Sequence, residues 1–117
     1  MTLPRNLVSE ALEVTDVVLH LEDENTHESM EFITFGDFDF DDRHYFYGMD
    51  AEDYEKCFGP QNIKEMRIQF LEEVVNTDGH ICYSSDIYFS ETDEKKIYDI
   101  IKNSLESIVV AAKYGIN

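Results

Sequence analysis

Seven apolar residues near the C-terminal end, Ile97, Ile100, Ile101, Leu105, Ile108, Val109 and Ala112, recur at helical spacing and form one stripe. A helix with a single apolar stripe must bury it against another element, which rules out an isolated helix and demands a partner layer. Thr92 is placed to cap this helix, acidic residues occupy its first turn, and Gly115 follows its last apolar residue. The rest of the chain offers strands as that layer, so the helix is expected to lie across a sheet.

Residues Pro4 to Leu12 predict a short first helix, with Pro4 in the opening turn and Leu7, Val8, Ala11 and Leu12 at helical spacing. From Thr15 to Leu21, Val17, Leu19 and Leu21 alternate as in a strand, and the polar run Glu22 to Glu28 marks a loop. Met30 to Phe35 alternates again. Gly36 to Tyr47 sets Phe38 and Phe40 between Asp37, Asp39 and Asp41 and reads as one or two strands. Asp50 to Cys57 predicts a short helix that Gly59-Pro60 ends. Residues 62–75 fit two patterns. Asn62 with Glu65 resembles a capping box over a helical stripe, whereas Met66, Ile68, Phe70 and Val74 fit one strand face. The strand is preferred, because Asn76-Thr77-Asp78-Gly79 is turn chemistry leading into the alternation Ile81, Tyr83, Ser85, Ile87, Phe89. The expected fold is a single α+β domain over residues 1–117, a mostly antiparallel sheet packed by a long C-terminal helix and a short N-terminal helix.

With 117 residues, 43% of them hydrophobic, and with seven Tyr and eight Phe, the chain has enough apolar material for one core, and this aromatic content argues against disorder despite the charge. Cys57 and Cys82 are far apart and form no CxxC pair, and there is neither a signal-like segment nor a long apolar run. A reducing, cytoplasmic location is the expectation.

The net charge of −17 is unevenly spread: residues 1–60 hold sixteen acids against three Lys and Arg, and residues 61–117 hold ten against six. A concentrated negative field repels nucleic acid and anionic membrane and attracts cationic proteins. Direct binding to nucleic acid or membrane is therefore not expected.

Chemistry-bearing patterns are sparse. Asp37-x-Asp39-x-Asp41 begins like a calcium loop, but Asp42 stands where the sharp turn needs Gly, and Gly48 where a bidentate Glu should close the site. A strand with a solvated acidic face accounts for it better. His80 and Cys82 supply two potential ligands where a structural zinc site needs four. Cys57 lies beside Glu55, Lys56 and Phe58, without the cations that would activate a thiol. No nucleophile-and-base pairing and no Gly-rich phosphate loop occurs, so neither enzyme activity nor a cofactor is expected.

One constellation remains. Between Asp37 and Glu55 lie eight acids, Asp37, Asp39, Asp41, Asp42, Asp50, Glu52, Asp53 and Glu55, interleaved with aromatic residues that include Tyr45, Tyr47 and Tyr54. Tyrosines give broad amphipathic contact, and carboxylates bond Lys and Arg on a partner, so these eleven residues are the expected partner-binding site. In this segment, in size and in charge, the chain resembles the small acidic immunity proteins that protect bacteria from colicin-type or contact-dependent inhibition toxins. That resemblance implies a basic toxin domain as partner, often a nuclease, held inactive by covering its active site or a neighbouring surface. Two other functions fit an acidic chain of this size. One is a nucleic-acid mimic acting against a restriction or defence enzyme, and the other is a secretion chaperone.

Overall fold

The computed structural model describes residues 2–12, 17–57 and 65–115. The fold is α+β, as expected. A five-stranded antiparallel sheet is built from β2 (Val17–Glu22), β3 (Ser29–Phe40), β4 (Arg43–Asp50), β6 (Gln69–Val75) and β7 (Ile81–Ser84), in the order β2-β3-β4-β6-β7. Helix α3 (Glu91–Tyr114) lies on one face, with α1 (Arg5–Leu12) beside it, while α2 (Ala51–Cys57) follows β4 directly. A small second sheet pairs β1 (Thr2–Pro4) with β5 (Glu65–Arg67), setting Leu3 opposite Met66, both fully buried.

Alternation decides which side chains enter the core. On β4, Tyr45, Tyr47 and Met49 point to the helix face; on β3, Ile33, Phe38 and Phe40 do the same, and all six join the cluster that holds Ile97, Ile101, Leu105 and Val109 of α3. The buried stripe of α3 is thus narrower than its apolar sequence: Ile108 is half-buried, and Ile100 and Ala112 are exposed.

The cap of α3 is one correction. Ser90, not Thr92, is the N-cap: its Oγ accepts from the Asp93 N–H at 3.2 Å, and Glu94 N–H bonds its carbonyl at 2.8 Å. Both residues have the right chemistry, and the helix starts earlier because β7 ends earlier. Instead of continuing to Phe89, β7 stops at Ser84, and the chain turns so that Ile87 and Phe89 pack against the core. At the other end Gly115 adopts φ 65°, closing the helix on Ala111 and Ala112 carbonyls. Residues 65–75 are strands, divided at the buried Ile68, which resolves the helix-or-strand ambiguity for the described part; residues 62–64 lie outside it.

Residues 29–40 form one long strand with a bulge. The register with β4 shifts between Thr34 and Gly36, so Phe35 is the additional residue and lodges in the core, its ring 6.5 Å from those of Tyr47 and Tyr54. The bulge bends β3. Gly48 opposite it is a steric requirement: a Cβ there would collide with the Ile33 carbonyl oxygen and stand 3.0 Å from Phe32 Cε1.

Candidate functional site

Strand alternation places Asp37, Asp39, His44, Phe46 and Asp50 on the sheet face turned away from α3, together with Leu21, Met30, Phe32, Leu71 and Tyr83. Phe32 and Leu71 are buried yet stand apart from the main core cluster. The sheet curls around this face. The β2–β3 hairpin runs past the end of β4, and its tip reaches the opposite edge, where Cys82 Sγ of β7 donates to Glu24 Oε1 at 3.7 Å. Beneath that overhang is a cleft of about 740 Å³, lined on its apolar side by Leu21, Met30, Phe32, Leu71 and Tyr83. Its polar lining includes five carboxylates, Glu22, Asp23, Glu28, Asp50 and Asp53, and among the described residues no Lys, Arg or His lines it.

The eight expected acids do not form one patch. Asp39, Asp41 and Asp42 stand at one end of β4, Asp37 pairs with Phe46 at its middle, and Asp50, Glu52, Asp53 and Glu55 stand at the other end, so the extreme members are separated by roughly 23 Å of strand. The first group sits on the β3–β4 hairpin, whose two-residue loop puts Asp41 and Asp42 at φ 53° and 61°. Short polar residues tolerate this left-handed conformation, which matches the strand twist. Here His44 is clamped, Nδ1 to Asp39 Oδ1 at 2.6 Å and Nε2 to Asp37 Oδ2 at 3.0 Å. The hydrogen bond to Asp39 raises the pKa of His44, burial opposes the rise, and the charges of Asp37, Asp39 and Glu73 add to it. Asp37 and Asp39 are exposed on the extended β3, and among the described residues no group of three or more His, Cys, Asp or Glu is arranged to hold a metal ion.

The second group adjoins the cleft. Asp50 Oδ1 accepts from the Glu52 N–H at 2.8 Å and caps α2, and Asp53 on the first turn lines the cleft beside it. Opposite them, Asp23 Oδ1 accepts from the N–H groups of Asn25 (2.8 Å) and Thr26 (3.0 Å), which lower its pKa, the Thr26 bond foremost. Glu22, Asp23 and Glu28 belong to a segment legible in sequence only as a polar loop. The signal was its four acids within seven residues, but their proximity to Asp50 and Asp53 depends on the curl of the sheet.

Two tyrosines require correction as contact residues. Tyr47 is fully buried and Tyr45 is 4% exposed, so neither offers a surface to a partner. Both point to the helix face by alternation, the same rule that points the intervening Phe46 outward. Burial raises the Tyr47 pKa to about 12; Ser104 on α3 pulls it down, and Asp37 pushes it up. Its hydroxyl makes no hydrogen bond of good geometry among the described residues. Tyr54 is half-buried against Phe35. Half-buried rings do line this face, in the row His44, Phe46 and Tyr83, with centroids 5.1 and 5.7 Å apart, which leads from the hairpin clamp to the cleft, whereas the exposed tyrosines are Tyr88 and Tyr114.

Cys82 is half-buried, and Asn76 Nδ2 approaches its sulfur at 3.6 Å; the Cys57 side chain lies outside the described residues. Among the described residues no helix is long and apolar enough to cross a membrane. No family model, curated protein or solved structure matches the chain.

Proposed function

We propose that this chain is an acidic protein-binding inhibitor, and that it acts as an immunity protein that binds and neutralises a cognate basic toxin. The observation that carries this reading is the segregation of charge between the two layers. Residues 17–57, which form β2, β3, β4 and α2, hold thirteen Asp and Glu against Arg43 and Lys56, whereas α3 holds five acids against Lys95, Lys96, Lys102 and Lys113. One layer is nearly neutral and the other strongly negative. Such a field orients a cationic protein during approach and raises its association rate. A nuclease must present Lys and Arg to phosphates, so a carboxylate surface can cover what its substrate would meet. Function through binding, without catalysis, also suits the absence of nucleophile-and-base motifs in the sequence.

The test is association kinetics with the product of a neighbouring toxin gene, by stopped flow across a salt series. The expected outcome is a tight one-to-one complex whose association rate falls steeply with ionic strength. Replacing Asp39, Asp41, Asp50 and Asp53 with Asn should slow association by about tenfold at low salt. A rate indifferent to both salt and substitution would refute the reading.

A further inference from the structure

We infer that the cleft under the β2–β3 hairpin is the receptor for an Arg- or Lys-bearing segment of the basic partner, taking cationic heads at its rim and their aliphatic stems on its floor. The inference rests on the inhibitor reading above and adds the place and chemistry of contact. A merely solvated acidic face would have no concavity and no apolar base. This one has both: Met30 is 37% exposed over a floor of Phe32 and Leu71, and five carboxylates surround it without a cation among the described lining residues. Long cationic side chains match that arrangement, because they cover apolar surface with their methylenes while the charge stays at the edge. Arg fits best, its planar fork bonding two carboxylate oxygens at once. A volume of about 740 Å³ leaves room for more than one side chain. The rim is also partly preset. Asp23 is fixed by two backbone N–H groups and Asp50 by the start of α2, so neither loses much freedom on binding. A second copy of this chain is a poor occupant, since it would bring a like charge of −17 to the same rim.

Isotope-labelled protein titrated with three blocked pentapeptides tests this: alternating Arg-Leu, all-Arg, and alternating Glu-Leu. The Arg-Leu peptide should saturate and shift the amide signals of Leu21, Met30, Leu71 and Tyr83, and it should bind more tightly than the all-Arg peptide. The Glu-Leu peptide should not bind. Glu28→Lys with Asp53→Lys should weaken the Arg-Leu peptide by about tenfold or more, corresponding to about 1.4 kcal/mol. Asp99→Lys with Glu106→Lys, exposed on α3 and outside the cleft, should change it less than about threefold. Circular dichroism of both variants is the check that they fold. Shifts centred on Asp41 and Asp42, equal binding of the all-Arg peptide, or no saturable binding overturns the cleft as receptor. None of those results decides whether a basic toxin is bound, which the kinetic experiment judges separately.

Discussion

Replacing Gly48 with Ala should damage this fold more than the same change at any other described glycine. The new Cβ would collide with the Ile33 carbonyl oxygen and stand 2.9 Å from the Ile33 carbonyl carbon. That carbonyl cannot retreat, because Ile33 is paired on both sides, with Val18 of β2 and Met49 of β4. Overpacking against fixed atoms costs about 1–3 kcal/mol and at times more. The upper figure applies here, and reduced freedom of the unfolded chain returns about 0.5–1 kcal/mol. A net loss of about 2–2.5 kcal/mol follows, which at roughly 4 °C per kcal/mol lowers Tm by about 8–10 °C. Gly79→Ala is the reference, since a Cβ there meets nothing within 4 Å and suffers only from φ 83°. It should cost about 1 kcal/mol. Thermal and urea unfolding of the two variants gives the comparison. If Gly48→Ala is no worse than Gly79→Ala, the close approach of β3 to β4 is wrong, and with it the position of Phe32 in the cleft floor.

Two further outcomes follow from particular contacts. The folded pKa of His44 is raised above its unfolded value of about 6.5, so the stability from its clamp is complete below that value and fades as pH rises through the folded pKa. His44→Gln should abolish this pH dependence, and an imidazole NMR titration with a midpoint at or below 6.5 would contradict it. Ser90→Ala should cost about 1 kcal/mol in urea unfolding, and Thr92→Ala less than about 0.5 kcal/mol; the reverse order would return the cap of α3 to Thr92.

Most of the fold was legible because period and punctuation agreed. The stripe from Ile97 to Val109, the alternation around Phe38, and the turn at Asn76 to Gly79 each specified an element locally. β1 was not legible, since three residues that include a proline carry no period and pair only through the distant Met66 and its neighbours. The acidic strand face was legible but the turn at Asp41 and Asp42 was not, since residues 36–47 fit one strand or two, and the separation of the eight acids depends on the β4 that this turn begins. Tyr45 and Tyr47 point inward by the same alternation that sets Phe38 inside, a local signal opposed to the contact role that the amphipathic character of tyrosine suggests. The cleft was beyond reach, because it joins residues 21–32 to residues 50–53 and 69–85 through curvature, and curvature comes from a bulge that no local pattern announces.

The outer strands of the sheet, β2 and β7, pair on one side only among the described residues, and neither contains a Lys or a Pro. Val18, Val75 and Ile81 are exposed along or beside them. Open strand margins of this kind recruit one another into aggregates unless something keeps molecules apart. Here the guard is electrical: protonating the carboxylates as the solution approaches the pI near 4.3 removes mutual repulsion and leaves those margins free to zip together.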